Sequence, residues 1–267
     1  MNIWTKKSVD LAKNEDYLDQ LSKVYPISKN VKRVISASTW SNIEIAFNNR
    51  DSEDLVIQLL KLDLFPVKDS YIPYLRKEKN AIKNNPKTIE RIANRVYKIG
   101  MDTLLEKCTE PKETNRQMGP VFKNWIDTNP LGVPTYKDVN LFLTSTGNAL
   151  LNMSDAELAN FACKYLGYSR NKGLDFVGRF NGKYVLGEAK FLTDFGGHQN
   201  AQFDDAISTM NSKFNSNGII NATVIIIGIM DGVLYIQGEN KLYKHLVNNS
   251  NEVILSALLL KDYLIQV

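Results

Sequence analysis

Apolar residues recur at helical spacing over roughly the first hundred positions, while short β-branched runs bounded by turn residues dominate the last hundred. Residues 53–65 alternate with a helical period, and Pro66 stops them. A longer helix is expected over 87–105, where Ile89, Ile92, Val96 and Ile99 form one face and Arg91, Arg95 and Lys98 a stripe on another. Between 107 and 135, Pro111, Pro120, Pro130 and Pro134 interrupt a polar stretch, which reads as a join. Two regions follow: 1–106, mostly helical, and 107–267, the core.

Within the core a helix is expected after Ser154, whose hydroxyl caps it while Glu157 completes a capping box. Leu158, Phe161, Ala162 and Leu166 make its buried stripe, and Gly167 ends it. Residues 222–230 form a β-branched run typical of an interior strand. Asp231-Gly232 then turns the chain into a strand at 233–237, and 253–263 reads as a packed helix. After residue 150 the order is helix, two strands, helix, strand, strand, helix. That order predicts an α/β fold with a mixed central β-sheet flanked by helices, preceded by an N-terminal helical region.

Composition narrows the chemistry. A hydrophobic fraction of 43% with mixed charge describes a globular chain. Charge is nearly balanced, 33 Lys and Arg against 29 Asp and Glu, which permits an anionic partner without requiring one. The excess gathers over 76–98, where eight basic residues face two glutamates; a charge run of this kind is either a solvated helix face or a phosphate-contacting surface. Two cysteines, Cys108 and Cys163, give neither a disulfide framework nor a zinc spacing, and two histidines exclude a histidine-rich metal site. The N-terminal residues lack a signal-like apolar stretch, and the apolar runs 222–230 and 253–260 are too short to span a bilayer. A cytoplasmic protein with no membrane association is expected.

The chemistry concentrates at one hairpin. Leu174-Asp175-Phe176-Val177-Gly178-Arg179-Phe180 precedes Asn181-Gly182, and Lys183-Tyr184-Val185-Leu186-Gly187-Glu188-Ala189-Lys190-Phe191 follows. Asn-Gly between β-prone runs predicts a two-residue type I′ turn, which fixes the register and sets Asp175 opposite Glu188. Strand alternation then places Glu188 and Lys190 on the face of Asp175 and turns Ala189 away, with Leu174, Phe176, Phe180 and Val185 on the other face. Two carboxylates ~5 Å apart repel by roughly 3 kcal/mol at an effective dielectric near 20. One lysine relieves only part of this, and a hard divalent cation with oxygen ligands suits the gap. Two other Glu-x-Lys runs lack this context: Glu110-Pro111-Lys112 carries a proline, and Glu239-Asn240-Lys241 has no facing acid.

Asp175 with Glu188-Ala189-Lys190 thirteen residues on resembles the signature of the PD-(D/E)XK nuclease superfamily over roughly 155–237, most closely a type II restriction endonuclease. Leu174 stands where that signature has proline. The resemblance implies Mg²⁺-dependent, sequence-specific hydrolysis of double-stranded DNA. In that pattern Asp175, Glu188 and the Ala189 carbonyl hold the metal, Lys190 positions or activates water, and Glu157 is a possible outer ligand. It also implies a homodimer matched to a palindromic site and a DNA methyltransferase encoded nearby. Region 1–106 is then a possible DNA-contacting or dimerisation part, through Arg91, Arg95 and Lys98. Arg116 and Gln117 have side chains able to read bases, and His198, Gln199, Asn200 and Gln202 follow a Gly196-Gly197 pair where backbone can approach a phosphate at a helix start. The alternatives are a repair or junction-resolving nuclease of the same fold, and a non-catalytic DNA-binding module.

Overall fold

A computed structural model of the protein describes residues 1–26, 31–111 and 118–267. The chain divides into two compact units, Met1–Ser28 with Thr114–Val267, and Lys29–Glu113.

The first unit is built on one six-stranded sheet in sequence order: β1 (Thr135–Tyr136), β2 (Ala149–Leu151), β3 (Phe176–Phe180), β4 (Lys183–Leu192), β5 (Val224–Gly232) and β6 (Ile254–Leu255). β2–β3 and β3–β4 run antiparallel, and the remaining neighbours run parallel. The sheet is therefore mixed, as the alternation of strands and helices predicts. The turn at Asn181-Gly182 has positive φ at both residues, 49° and 79°, which is what a type I′ turn requires. The capping box at Ser154 and Glu157 starts the helix Asp155–Leu166, and Gly167 ends it in the left-handed conformation.

Both faces of the sheet are covered. Phe176, Phe180, Val185, Ala189, Ile227 and Ile229 pack with Leu150, Phe122 and the C-terminal residues Leu260 and Leu264. On the opposite face Val177, Tyr184 and Leu186 pack with Leu158, Phe161 and Leu166. Further along that face, Leu192 and Met230 meet Phe203 and Ala206 of the helix Gly197–Met210.

The N-terminal residues belong to this unit, so the boundary expected at 106/107 does not describe the core. Trp4, Val9, Tyr17, Leu21 and Val24 are buried in its clusters. Polar bonds tie them to the far end of the chain. Thr5 Oγ1 donates to the Ile254 carbonyl at 2.8 Å, and the Ser256 N–H donates to Ser8 Oγ at 2.9 Å. The wholly buried Asp231 carboxylate accepts from Ser256 Oγ (2.5 Å), the Ala257 N–H (3.1 Å), Tyr25 Oη (3.2 Å) and Tyr17 Oη (3.3 Å).

The unit Lys29–Glu113 is helical, with its own core around Ile43, Leu55, Leu59, Ile92 and Val96. It holds 16 basic and 12 acidic residues, so the whole net charge of +4 lies here and the sheet unit is neutral.

Several elements differ from expectation. The helix expected over 53–65 is Ser52–Leu60; Leu62 and Phe65 pack into the core from the irregular chain before Pro66. The helix expected over 87–105 is two, Pro86–Ile99 and Met101–Thr109, broken at Gly100 with φ 80°. The join at 107–135 contains the helix Met118–Asp127, held by buried Phe122 and Ile126. The strand expected at 233–237 is a 3₁₀ turn, Val233–Tyr235: β5 runs through Asp231 to Gly232, where a φ of 98° breaks the extended chain. Residues 253–263 split into β6, a 3₁₀ turn at Ala257–Leu259 and the helix Leu260–Gln266, with Ser256 engaged by Ser8 and Asp231 between them. No helix among the described residues is long and apolar enough to cross a membrane.

Burial pushes the Asp231 carboxyl up to about 6, partly opposed by its four donors. A folded-state value above the unfolded one means that the fold binds this proton more tightly, so its contribution is full below pH ~4 and is lost as pH rises through about 6. Asp231→Asn should destabilise by about 1–3 kcal/mol in urea unfolding, because an amide cannot accept from all four donors. The loss should be larger near pH ~4.5 than at pH ~7. Asp204→Asn, at an exposed pair with Lys241, should change stability by less than about 1 kcal/mol.

Candidate active site

The β3–β4 ladder pairs Phe176 with Gly187 through to Phe180 with Lys183, the register the turn dictates. At Asp175 it departs from that register. The Asp175 N–H donates to the Gly187 carbonyl at 3.0 Å, and the ladder ends at the Phe176–Gly187 pair, with Asp175 just before β3. The alternation does not continue past it: Leu174 packs with the cluster containing Val177 and Leu186, not with Phe176 as expected. Asp175 does not sit squarely across from Glu188. Its Oδ2 instead accepts from the Ala189 N–H at 2.9 Å, which draws the carboxylate over β4.

The charged groups still come together. Lys190 Nζ lies 2.6 Å from Glu188 Oε1 and 3.8 Å from Asp175 Oδ2. Glu188 is 1% exposed, and the side chain of Asp175 is 11% exposed. Burial of a carboxylate costs several kcal/mol unless cations and hydrogen bonds answer it. Burial, and then the Glu188 charge, pushes the Asp175 carboxyl up to about 6 against the pull of Lys190 and the Ala189 N–H. Burial works against charge on Lys190, but Asp175 and Glu188 outweigh it and hold the ammonium above its ordinary range.

Sequence reasoning missed a second arc of this cluster. Lys172 Nζ lies 2.6 Å from Glu188 Oε1, contacts Asp205 Oδ2 more closely, and is 3.3 Å from Thr209 Oγ1. Asp205 in turn takes Arg170 Nη2 at 2.6 Å. Burial favours the neutral form of Asp205, but Lys172 and Arg170 overcome it and hold the carboxyl below the usual range. Arg170 and Lys172 lie in an irregular segment that reads as a solvated linker. Asp205 and Thr209 give only a polar i, i+4 pair beside the apolar stripe of their helix.

The pair fits a hard divalent cation. Glu188 Oε2 is buried and has no hydrogen-bond partner among the described residues, an oxygen left over where every other charge is answered. No group of three or more His, Cys, Asp or Glu among the described residues forms a metal cage. A cation here would take the two carboxylates with main-chain, water or substrate oxygens, as Mg²⁺ ordinarily does.

Other expected residues fall elsewhere. Glu157 is exposed, and its carboxylate accepts from the Ser154 N–H (2.9 Å) and Oγ (2.5 Å), so the cap occupies it. Asp155 lies nearer the pair: its charge raises Asp175, and its carbonyl accepts from the Leu174 N–H. Gln199 is buried, with its amide on Thr193 Oγ1 at 3.0 Å; Asn200 is half-buried and bonds the Phe195 carbonyl. His198 is exposed and Gln202 half-buried, 3.5 Å apart. Arg91, Arg95 and Lys98 are exposed in the helical unit, where Arg91 and Arg95 meet Asp69 at 2.6 and 3.4 Å. Arg116 and Gln117 lie outside the described residues.

A mixed sheet flanked by helices, with its charge cluster borne on a central hairpin, places the molecule among restriction-endonuclease-like proteins. The whole chain agrees. It belongs to the Tsp45I type II restriction enzyme family, whose model matches residues 2–267, and is therefore a restriction endonuclease, an enzyme that acts on DNA. No curated protein and no solved structure shows a significant match.

Ionised Asp175 is a burden on the metal-free fold above pH ~6, because its folded-state proton affinity exceeds the unfolded one. Asp175→Asn keeps the acceptor for the Ala189 N–H, so its metal-free melting temperature at pH ~7.5 should equal or exceed that of the parent. That advantage should vanish near pH ~5. A lower melting temperature at both pH values would show that the carboxylate stabilises the fold.

Proposed function

We propose that the protein is a Mg²⁺-dependent, site-specific endonuclease of the PD-(D/E)XK type, which hydrolyses phosphodiester bonds in double-stranded DNA at the Asp175–Glu188–Lys190 cluster. The observation that carries this reading is the buried, unpartnered Glu188 Oε2 beside Asp175, with an ammonium 2.6 Å from the same carboxylate.

When bound, Mg²⁺ supplies a Lewis acid that polarises the phosphate and a water activated near neutral pH. The protein's part is electrostatic and positional. Asp175 and Glu188 offer two hard oxygen donors, and the Ala189 carbonyl, next along the strand, is the third in this reading. Lys190, whose ammonium its two acids hold above its ordinary range, serves in this reading as a fixed cation for the phosphate and an orienting donor for water. Asp155, whose charge reaches Asp175 although its carboxylate also pairs with Lys123 at 2.5 Å, is the better candidate for an outer acid on that helix.

Electrostatic attraction to DNA falls to the helical unit, which carries the entire net charge. Arg91, Arg95 and Lys98 form its candidate phosphate stripe, and Asp69 would give up its arginines to the polyanion. His198, exposed at the start of its helix, and half-buried Gln202 one turn on are the candidate groove or backbone contacts, whereas Gln199 acts from within by holding Thr193. A homodimer on a two-fold site, with a companion methyltransferase, completes the reading.

The direct test is digestion of long duplex DNA with and without Mg²⁺, followed by sequencing of fragment ends. Discrete ends at one short sequence, only with the metal, are expected; ragged ends would favour a repair or junction-resolving nuclease. Lys190→Ala should abolish cleavage yet retain duplex binding, since one charge is minor among many phosphate contacts. Replacing Arg91, Arg95 or Lys98 by Ala should each lower the slope of log affinity against log salt by about one unit, with sequence preference unchanged. An unchanged slope would return that stripe to solvent.

A further inference from the structure

Glu188 is crowded on one side and bare on the other. Lys172 and Lys190 both contact Oε1 at 2.6 Å, while Oε2 has no partner among the described residues. The two lysines are not equivalent. Lys190 stands on β4, two residues from Glu188, with Asp175 as its other acid. Lys172 comes from the irregular segment before β3 and divides its ammonium between Glu188 and Asp205.

Asp205 is prepared to hold a cation whether or not Glu188 shares it. Its Oδ1 takes Arg170 Nη2 at 2.6 Å, and Arg170 Nη1 bonds the Asp205 carbonyl at 2.9 Å and Thr209 Oγ1 at 2.9 Å. The carboxylate is thereby oriented independently of Lys172. Its side chain is 42% exposed, so an ammonium resting there keeps access to water. Counted together, Asp175, Glu188 and Asp205 balance Lys172, Lys190 and Arg170. A divalent cation entering this neutral cluster meets two ammonium groups on the carboxylate it needs. Each positive charge at such short range opposes a divalent cation, even at the dielectric of water.

We propose that Lys172 is a resident counter-cation of the Asp175–Glu188 pair, which a divalent metal displaces, and that Asp205 is the positioning residue that receives it. The proposal rests on the reading of that pair as the metal site. In the free protein Lys172 neutralises the buried Glu188. When metal binds, its ammonium withdraws to Asp205 and Thr209 and leaves Glu188 to the metal and Lys190. Lys172 therefore stabilises the fold and weakens metal affinity by the same contact.

The test measures Mn²⁺ binding to the full chain without DNA, by electron paramagnetic resonance of the free ion. Lys172→Gln should bind Mn²⁺ about ten-fold more tightly than the parent, the loss of one opposing charge at short range. It should also melt at a lower temperature without metal and gain more on adding it. Asp205→Asn should bind more weakly, because Lys172 then has only Glu188 to rest on. In the Lys172→Gln background the same Asp205 change should have little further effect.

Unchanged or weaker binding in Lys172→Gln overturns the proposal, as does an equal loss from Asp205→Asn in both backgrounds, which would mark a through-space charge effect. Lys172→Met serves as the second variant if the glutamine form does not fold. Asp175→Asn separates the two levels. If the parent binds no Mn²⁺, or Asp175→Asn binds it as well as the parent, the metal reading itself fails and the proposal with it. If Asp175→Asn abolishes binding while both Lys172 variants bind like the parent, only the proposal fails.

Discussion

Glu188 carries its charge where almost no water reaches it, and the surrounding chemistry answers that fact. Two ammonium groups meet one of its oxygens, and a second carboxylate is drawn over the same strand by the Ala189 N–H. Removal of any one cation leaves a buried anion uncompensated, which is why such clusters resist piecemeal change. The apolar packing on both faces of β4 keeps water away and so strengthens each of these interactions. Hydrophobic burial and electrostatics act here as one system: the packed sheet makes the charges expensive, and the charges then accept few arrangements.

The end of the β3–β4 ladder at Asp175 is the local device that reconciles these demands. A regular ladder would set two carboxylates side by side with nothing between them, an arrangement disfavoured across a sheet. Just before β3, Asp175 turns its N–H toward Gly187 while its side chain takes a main-chain donor from β4. Leu174 packs into the apolar cluster beneath the helix Asp155–Leu166.

Much of this was legible in the residues. Asn181-Gly182 admits essentially one turn, and the turn fixes the strand pairing; Ser154 and Glu157 mark a helix start that no other local structure satisfies as well. Other features depend on distant partners and leave no periodic trace. Lys172 and Arg170 lie in a stretch with the composition of a solvated loop, and only the fold shows that Asp205 waits for them. Asp231-Gly232 has the composition of a turn, yet Asp231 is buried by donors from Tyr17 and Tyr25, more than two hundred residues earlier. Gly100 carried a local signal, but helical periodicity on both sides of it masked the break.

The bonds from Thr5 to Ile254 and from Ser256 to Ser8 span 249 and 248 residues. They give the chain an order of assembly opposite to its order of synthesis. Residues 1–26 leave the ribosome long before they can be completed, because Thr5 finds its acceptor at Ile254 and Ser8 its donor at Ser256. At ribosomal rates the N-terminal residues would wait roughly tens of seconds for them. During that interval Trp4, Val9 and Leu21 have no sheet to cover, while Lys29–Glu113, with a hydrophobic core of its own, has all its residues available. The nascent protein thus passes through a stage in which its charged helical unit can be folded before a nuclease core exists.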